Sequence, residues 1–228
     1  KIMRIGINGF GRIGRAIARI AFDAPDIEVV VVNELDKDLE NFAYLLAFDT
    51  VYGRYHKPVS VRNDKLDVAG SEIAVFNEAR ITDVPWSDYK IDVLIEATGV
   101  ATNVIDCRKV LGSDYPRKVV VTNANKNVDT TVLIGANCDQ YDPDAHDVVS
   151  SSICDANAVL PVLKLLDEKW GIESAFLTTL HPLLAYQNVT DGPLSSISNP
   201  GHTWTDYSLG RATYGNLIPK DTTAGNAC

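Results

Sequence analysis

Ile5-Gly6-Ile7-Asn8-Gly9-Phe10-Gly11-Arg12-Ile13-Gly14-Arg15 stands near the start of a 228-residue chain. It begins inside a compact apolar run (residues 2–8) and passes through G-x-G-x-x-G into residues 12–23, where Ile13, Ile17, Ile20 and Ala21 predict one face of a helix. Ile27-Glu28-Val29-Val30-Val31-Val32-Asn33 then predicts a second strand. Strand, glycine turn, helix and strand within about 30 residues make a βαβ unit, and so a parallel sheet joined by a right-handed crossover. In that setting the glycines form a phosphate cradle. Gly9 allows the tight turn, Gly11 the close approach of a pyrophosphate, and Gly14 the packing of helix on strand. The N–H groups at the helix start face the phosphates. Glu34 follows 20 residues after Gly14, where an acid accepts hydrogen bonds from the adenosine ribose. Its carboxylate predicts NAD rather than NADP, because a 2′-phosphate would meet a like charge with no adjacent arginine. The alternative is a set of βαβ turn glycines with no ligand.

Further strands are expected at 58–62, 66–69, 72–76, 92–97, 118–122 and 131–134. The run Lys118-Val119-Val120-Val121-Thr122 is short, β-branched and continuous, as buried parallel strands are. A helix is expected from Cys154 to about Lys169, with Pro161 near its first turns, where proline is tolerated. Beyond Thr190, Asp191-Gly192-Pro193-Leu194-Ser195-Ser196-Ile197-Ser198-Asn199-Pro200-Gly201 is turn-rich and irregular, a composition associated with functional or flexible segments.

Composition narrows the classes. Apolar residues at 46% and charged residues at 22% are the profile of a soluble globular protein with a real core. A net charge of -9 argues against nucleic acid or an anionic membrane as partner, since both call for a basic surface. Cys107, Cys138, Cys154 and Cys228 show neither C-x-x-C pairing nor metal-like spacing with the four histidines, so no metal is expected. So few cysteines in so long a chain fit a reducing compartment. With no signal-like N-terminus and no apolar run near ~20 residues, a cytoplasmic location is expected.

The second informative stretch is Ser150-Ser151-Ser152-Ile153-Cys154-Asp155-Ala156-Asn157, which leads into the expected helix. A thiol at a helix N-terminus has its thiolate stabilised by the dipole and by unpaired N–H groups. His181 follows the strand-like Phe176-Leu177-Thr178-Thr179-Leu180, and an imidazole beside such a thiol can take its proton. On spacing alone, a buried inert cysteine and an unrelated histidine are the better reading, and only a resemblance decides for the catalytic pair.

Several runs together resemble the glyceraldehyde-3-phosphate dehydrogenase family and its erythrose-4-phosphate dehydrogenase sibling. They are Ile7 to Arg15, Phe48-Asp49-Thr50-Val51-Tyr52-Gly53-Arg54-Tyr55, Pro85-Trp86, Glu96-Ala97-Thr98-Gly99-Val100 and Tyr141-Asp142-Pro143. Cys154, Asn157 and Pro161 fit the family's C-T-T-N-C-L-A-P run, and Thr178-Thr179-Leu180-His181 fits T-T-V-H. The resemblance implies a Rossmann-type doubly wound parallel sheet over residues 1–152, followed over 153–228 by the start of an α+β catalytic domain. It implies that Asn8, Gly9, Phe10, Gly11, Arg12, Ile13, Gly14, Asn33, Glu34, Arg80, Thr98, Gly99 and Thr122 hold NAD. Cys154 and His181 would be the catalytic pair, with Ser152, Arg211 and Thr222 holding substrate. The implied chemistry is addition of the Cys154 thiolate to an aldehyde, hydride transfer to NAD, and cleavage of the thioester by inorganic phosphate or water. Glyceraldehyde 3-phosphate is the first substrate expected. Asn33-Glu34-Leu35 leans toward erythrose 4-phosphate, and a homo-oligomer is expected, family members being tetramers. A non-catalytic NAD-binding protein is the competing class.

Departures from the family cluster at its phosphate positions. Ile153 and Asp155 replace the serine and threonine flanking the cysteine, Leu184 replaces a threonine, and the arginine-rich stretch reads Asp206-Tyr207-Ser208-Leu209-Gly210-Arg211. Thr222 keeps one phosphate-site threonine, while Thr223 replaces its glycine. Two unit charges ~4 Å apart at an effective dielectric of about 20 repel by ~4 kcal/mol, so Asp155 would disfavour both a bound phosphate and the thiolate. The other reading makes Asp155 a first-turn carboxylate that favours the helix by ~0.3–1 kcal/mol and points away. Cys228 also falls short of the family's length, so part of the catalytic sheet and a helix returning to the cofactor domain are expected to be missing.

Overall fold

The computed structural model describes residues 1–184, 187–193 and 207–219. The chain divides into two compact units, Lys1–Leu165 and Leu166–Cys228.

In the first unit, β1 (Met3–Asn8), α1 (Arg12–Asp23) and β2 (Ile27–Asn33) form the expected βαβ unit, with β1 and β2 parallel. Next come α2 (Leu39–Ala47) and a small ribbon of β3 (Phe48–Asp49) and β4 (Gly53–Arg54). The strands β5 (Val59–Arg62), β6 (Lys65–Val68) and β7 (Ser71–Phe76) are joined by tight two-residue turns. Asn63 and Asp64 both take positive φ (52° and 55°), as a hairpin turn matching the strand twist requires. After β8 (Val93–Glu96) the chain crosses through α3 (Ala101–Val110) to β9 (Lys118–Val121), then to β10 (Thr130–Thr131) and β11 (Val148–Ser150). Cys154–Trp170 is α4.

These strands build one sheet in the order β10-β11-β9-β8-β1-β2-β7-β6-β5. Every pairing from β10 to β7 is parallel, and only the β5-β6-β7 edge is antiparallel. The architecture is the expected mixed α/β fold with a large, mostly parallel sheet. Two cores sandwich it. One gathers Ile5, Ile7, Ala18, Val29, Val32, Leu46 and Ile73 under α1 and α2. The other gathers Leu94, Val104, Cys107, Val119, Val121 and Val148 with Ile81, Trp86 and Ile91.

Four details differ from the sequence reading. The strand expected at 131–134 is only Thr130–Thr131, because the Asn137 side chain takes the Leu133 N–H and the Thr131 carbonyl for a turn. Pro161 is the eighth residue of the 17-residue α4, not in its first turns, and packs within 3.5 Å of where a Cβ on Gly135 would sit. The segment 176–180 is not a strand: a strand needs a ladder partner for its backbone groups, and none lies beside it among the described residues. Lastly, α2, α3 and β11 were not anticipated; α2 begins where Asp38 accepts a hydrogen bond from the Asn41 N–H.

In the second unit, α4 ends at Gly171, whose φ of 74° and N–H bond to the Asp167 carbonyl (2.8 Å) make a left-handed cap. Residues 187–193 and 207–213 are tied by Thr213 N–H to the Asn188 carbonyl and Gly192 N–H to the Gly210 carbonyl, both 2.9 Å. Residues 194–206 and 220–228, including the expected substrate residue Thr222, lie outside the described residues.

Candidate functional site

Parallel sheets bind ligands at the carboxyl ends of their strands, where loops leave for the helices. Gly9 follows β1, Glu34 follows β2, Arg80 lies beyond β7, Thr98 and Gly99 follow β8, Thr122 follows β9, and Ser152 and Cys154 follow β11. Residues far apart in sequence therefore share one edge of the sheet.

The glycine turn is held at both main-chain polar groups of one residue. The Phe10 N–H donates to Glu34 Oε2 at 2.7 Å, and the Phe10 carbonyl accepts from Arg15 Nη1 at 2.9 Å. Glu34 also accepts from the Leu35 N–H at 2.8 Å, so it anchors the turn besides standing where a ribose acceptor is expected. The sequence reading put no arginine beside Glu34. The fold brings Arg15, one turn into α1, within electrostatic reach of Asp49 and Glu34.

The three glycines have different reasons for lacking a side chain. A Cβ on Gly9, at φ 91°, would meet the Thr98 nitrogen at 2.7 Å, and one on Gly14 would meet the Gly9 carbonyl oxygen at 2.1 Å. Both are required by packing. A Cβ on Gly11 would meet nothing within 4 Å, so nothing in the chain itself demands glycine there. An open space above Gly11 at the start of α1 fits the approach of a phosphate, and the donor set fits a dinucleotide.

Beneath the turn lies a polar network that the sequence reading did not find. Glu96 is buried at the end of β8, and its carboxylate accepts from Asn8 Nδ2, the Thr98 N–H (2.9 Å) and the Thr98 hydroxyl. Asn8 Oδ1 accepts from Asn33 Nδ2 at 2.7 Å. Asn33 also exchanges two hydrogen bonds with the Glu78 main chain, at 2.8 and 2.9 Å. Burial raises the Glu96 carboxyl above the ordinary glutamate range, against the Thr98 and Asn8 hydrogen bonds that favour the anion. Asn8 and Asn33 are themselves buried, so their side chains shape the floor of the site. One signal was present in the sequence: a glutamate ending the apolar run Val93-Leu94-Ile95. Arg80, also expected at the cofactor, pairs with Asp106 at 3.4 Å, and the Thr122 N–H bonds the Glu96 carbonyl at 3.0 Å.

At the other end of this edge, β11 delivers Ser150 and then Ser152, a buried non-glycine residue at φ 63°. That left-handed turn leads into Cys154, which is exposed and begins α4. Asn157 holds the approach, donating to the Ser151 and Ile153 carbonyls at 2.7 and 2.9 Å. Asp155 does not point away from the thiol: its Oδ1 lies 3.9 Å from Cys154 Sγ. Cys107 is the opposite kind of cysteine, buried in the core with its thiol pushed up to about 12, chiefly by burial. In the second unit, His181 is exposed in an irregular segment, Leu184 donates its N–H to Gln187 Oε1 (2.8 Å), and Arg211 faces Asp191 at 3.5 Å.

Comparison with known proteins agrees with this architecture. The profile of the glyceraldehyde 3-phosphate dehydrogenase NAD binding domain matches residues 3–104, and that of the same enzyme's C-terminal domain matches residues 153–228. Similar proteins include glyceraldehyde-3-phosphate dehydrogenase 1 of Bacillus cereus, 38% identical over 224 residues, with 98% of this chain and 64% of the relative covered. The Geobacillus stearothermophilus glyceraldehyde-3-phosphate dehydrogenase is 38% identical over 225 residues (99% and 64% covered). The cytosolic glyceraldehyde-3-phosphate dehydrogenase of Chondrus crispus is 36% identical over 224 residues (98% and 63% covered). The chain thus spans somewhat less than two thirds of the length of these relatives. With a matching NAD binding domain, a matching C-terminal domain and a parallel sheet that gathers the motifs at one edge, the chain belongs to the glyceraldehyde-3-phosphate dehydrogenase family.

Proposed function

We propose that this chain carries the NAD-binding and thiol-bearing part of an enzyme that oxidises a small phosphorylated sugar aldehyde, glyceraldehyde 3-phosphate first. The observation that carries the reading is Cys154: exposed, at the first position of α4, on the same sheet edge as the glycine turn. The N–H groups of the first turn of α4 can stabilise a developing oxyanion. The thiolate attacks the aldehyde carbon to give a thiohemiacetal, and loss of hydride leaves a thioester on Cys154. His181 is the proposed base and acid, on the strength of its T-T-L-H run. Gly9, Phe10, Gly11, Arg12, Ile13, Gly14, Glu34, Thr98, Gly99 and Thr122 would hold NAD, which when bound supplies the hydride acceptor. Phosphate or water then cleaves the thioester. A cytoplasmic homo-oligomer is the proposed setting; among the described residues no helix is long and apolar enough to cross a membrane.

A second reading has an observation in its favour. Asp155 lies 3.9 Å from the thiol and Arg211 is engaged by Asp191, at positions where the family binds phosphate. Both favour an unphosphorylated aldehyde, or a protein that binds NAD without turnover. The test is to supply NAD with a panel of aldehydes, with and without phosphate, and follow absorbance of the reduced cofactor. Turnover that Cys154→Ser abolishes supports the enzyme. NAD binding without turnover on any aldehyde, while Cys154 still alkylates, supports the non-catalytic reading instead.

A further inference from the structure

The hydrogen-bond chain under the glycine turn has a direction that its ends dictate. At one end the Glu78 main chain presents its N–H to Asn33 Oδ1 and its carbonyl to Asn33 Nδ2. Main-chain groups cannot turn round, so this fixes the Asn33 amide, a choice that side-chain shape alone leaves open. Asn33 Nδ2 must then face Asn8 Oδ1, and Asn8 Nδ2 must face Glu96. From the opposite side, the Ile81 N–H donates to Asn103 Oδ1 at 3.2 Å, which turns Asn103 Nδ2 toward the Thr98 hydroxyl (3.3 Å). That oxygen also accepts from the Val100 N–H at 3.0 Å, so its own proton is directed at Glu96. The Thr98 N–H adds a third donor.

Two strings of donors, both started by one short loop (Glu78 to Ile81), thus converge on a single buried carboxylate. The loop carries Arg80, and the strings pass through the ends of β1, β2 and β8. We propose that Glu96 is the positioning residue of the dinucleotide site: an acceptor at both oxygens, it closes the network that sets the loops after β1, β2, β7 and β8 relative to one another. The proposal rests on the NAD-binding reading above. Among the described residues no cation pairs with Glu96, so its charge is held by neutral donors alone. Glutamine has almost the same shape but brings an NH2 group against Asn8 Nδ2, donor to donor, and neither amide can turn without breaking the next bond. Aspartate in place of Asn8 removes that conflict. The new carboxylate would accept from Asn33 and from the introduced glutamine amide, while the glutamine oxygen would keep both Thr98 donors.

The experiment is a double-mutant cycle of Glu96→Gln, Asn8→Asp and the pair, read by NAD titration calorimetry below all melting temperatures and by thermal unfolding. Each single variant should weaken NAD binding roughly tenfold or more in the folded protein. The double variant should regain most of that affinity. If Glu96→Gln does not fold, recovery of folding and NAD binding in the double variant supports the same conclusion. A folded Glu96→Gln that binds NAD as tightly as the unsubstituted chain, with only its melting temperature lowered, overturns the proposal. So does a double variant no better than the worse single. Failure of the unsubstituted chain to bind NAD would refute the cofactor reading itself, and the proposal with it.

Discussion

Gly11→Ala separates what the fold requires from what a ligand requires. A Cβ at this position would have no protein atom within 4 Å, and the backbone there (φ -67°, ψ -159°) is open to any residue. Alanine lowers the entropy of the unfolded chain by ~0.4–1 kcal/mol but is a poorer helix N-cap by a comparable amount. Stability should therefore change by less than about 1 kcal/mol, a melting shift within ~2–4 °C. NAD affinity should behave differently. A methyl over the first N–H groups of α1 displaces a phosphate from donors whose charge-assisted bonds contribute about 1.5–3 kcal/mol each, which raises Kd roughly tenfold to a hundredfold. Gly14→Ala is the contrast, since its Cβ would stand 2.1 Å from the Gly9 carbonyl oxygen and the helix must shift. It should destabilise by more than about 2 kcal/mol, with binding lost as a consequence. Thermal unfolding and NAD calorimetry on both variants decide the matter. Gly11→Ala binding NAD within twofold of the parent, or unfolding as easily as Gly14→Ala, would refute the reasoning.

Three other outcomes are expected. Burial pushes the Asp129 carboxyl up, but Arg108 and the N–H groups of Asp147 and Val148 outweigh it and bring it down to about 2. With its folded value depressed, its stabilisation is present above the unfolded value of ~4 and is lost as pH falls toward 2. Asp129→Asn should therefore be less stable than the parent near pH 7, with the gap closing between about pH 4 and pH 2 in urea titrations. Brief alkylation of the folded protein, mapped by mass spectrometry, should label Cys138 and Cys154 and leave Cys107 intact until denaturant is added. Trp86→Phe should cost about 2–3 kcal/mol in chemical denaturation, because the buried indole fills the second core and donates to the Ile81 carbonyl at 2.7 Å.

How legible the site was in sequence depended on whether its cause was local. The turn from β1 into α1 follows from glycines and apolar spacing within a dozen residues, and both neighbouring strands lie within a residue of their expected ends. α3 escaped notice because its sequence, Ala101-Thr102-Asn103-Val104-Ile105-Asp106-Cys107, mixes polar residues into the face it buries: Asn103 and Asp106 are buried along with Val104. The strand reading of 176–180 failed for the reverse reason, since β-branched and apolar composition signals a strand only where a partner ladder exists. The site's floor was invisible because its hydrogen bonds join residues 25 and 88 positions apart. The electrostatic reach of Arg15 to Glu34 is the same lesson in miniature, since the spacing of the two in sequence carries no trace of it.

The strand order carries a kinetic consequence. β1 is central, and it meets β2 across a short crossover but meets β8 only after the chain has passed through α2, the β3-β4 ribbon and the strands β5, β6 and β7. Closing the longer loop costs more chain entropy, and non-local parallel pairing is slow. The β1-α1-β2 unit should therefore form early with its glycine turn shaped, whereas the Glu96 contacts wait for β8 to dock against β1. Until then the carboxylate is solvated and the Asn8 amide has water for a partner. The cradle for the phosphates is an early product of folding; the floor that aligns the rest of the dinucleotide is a late one.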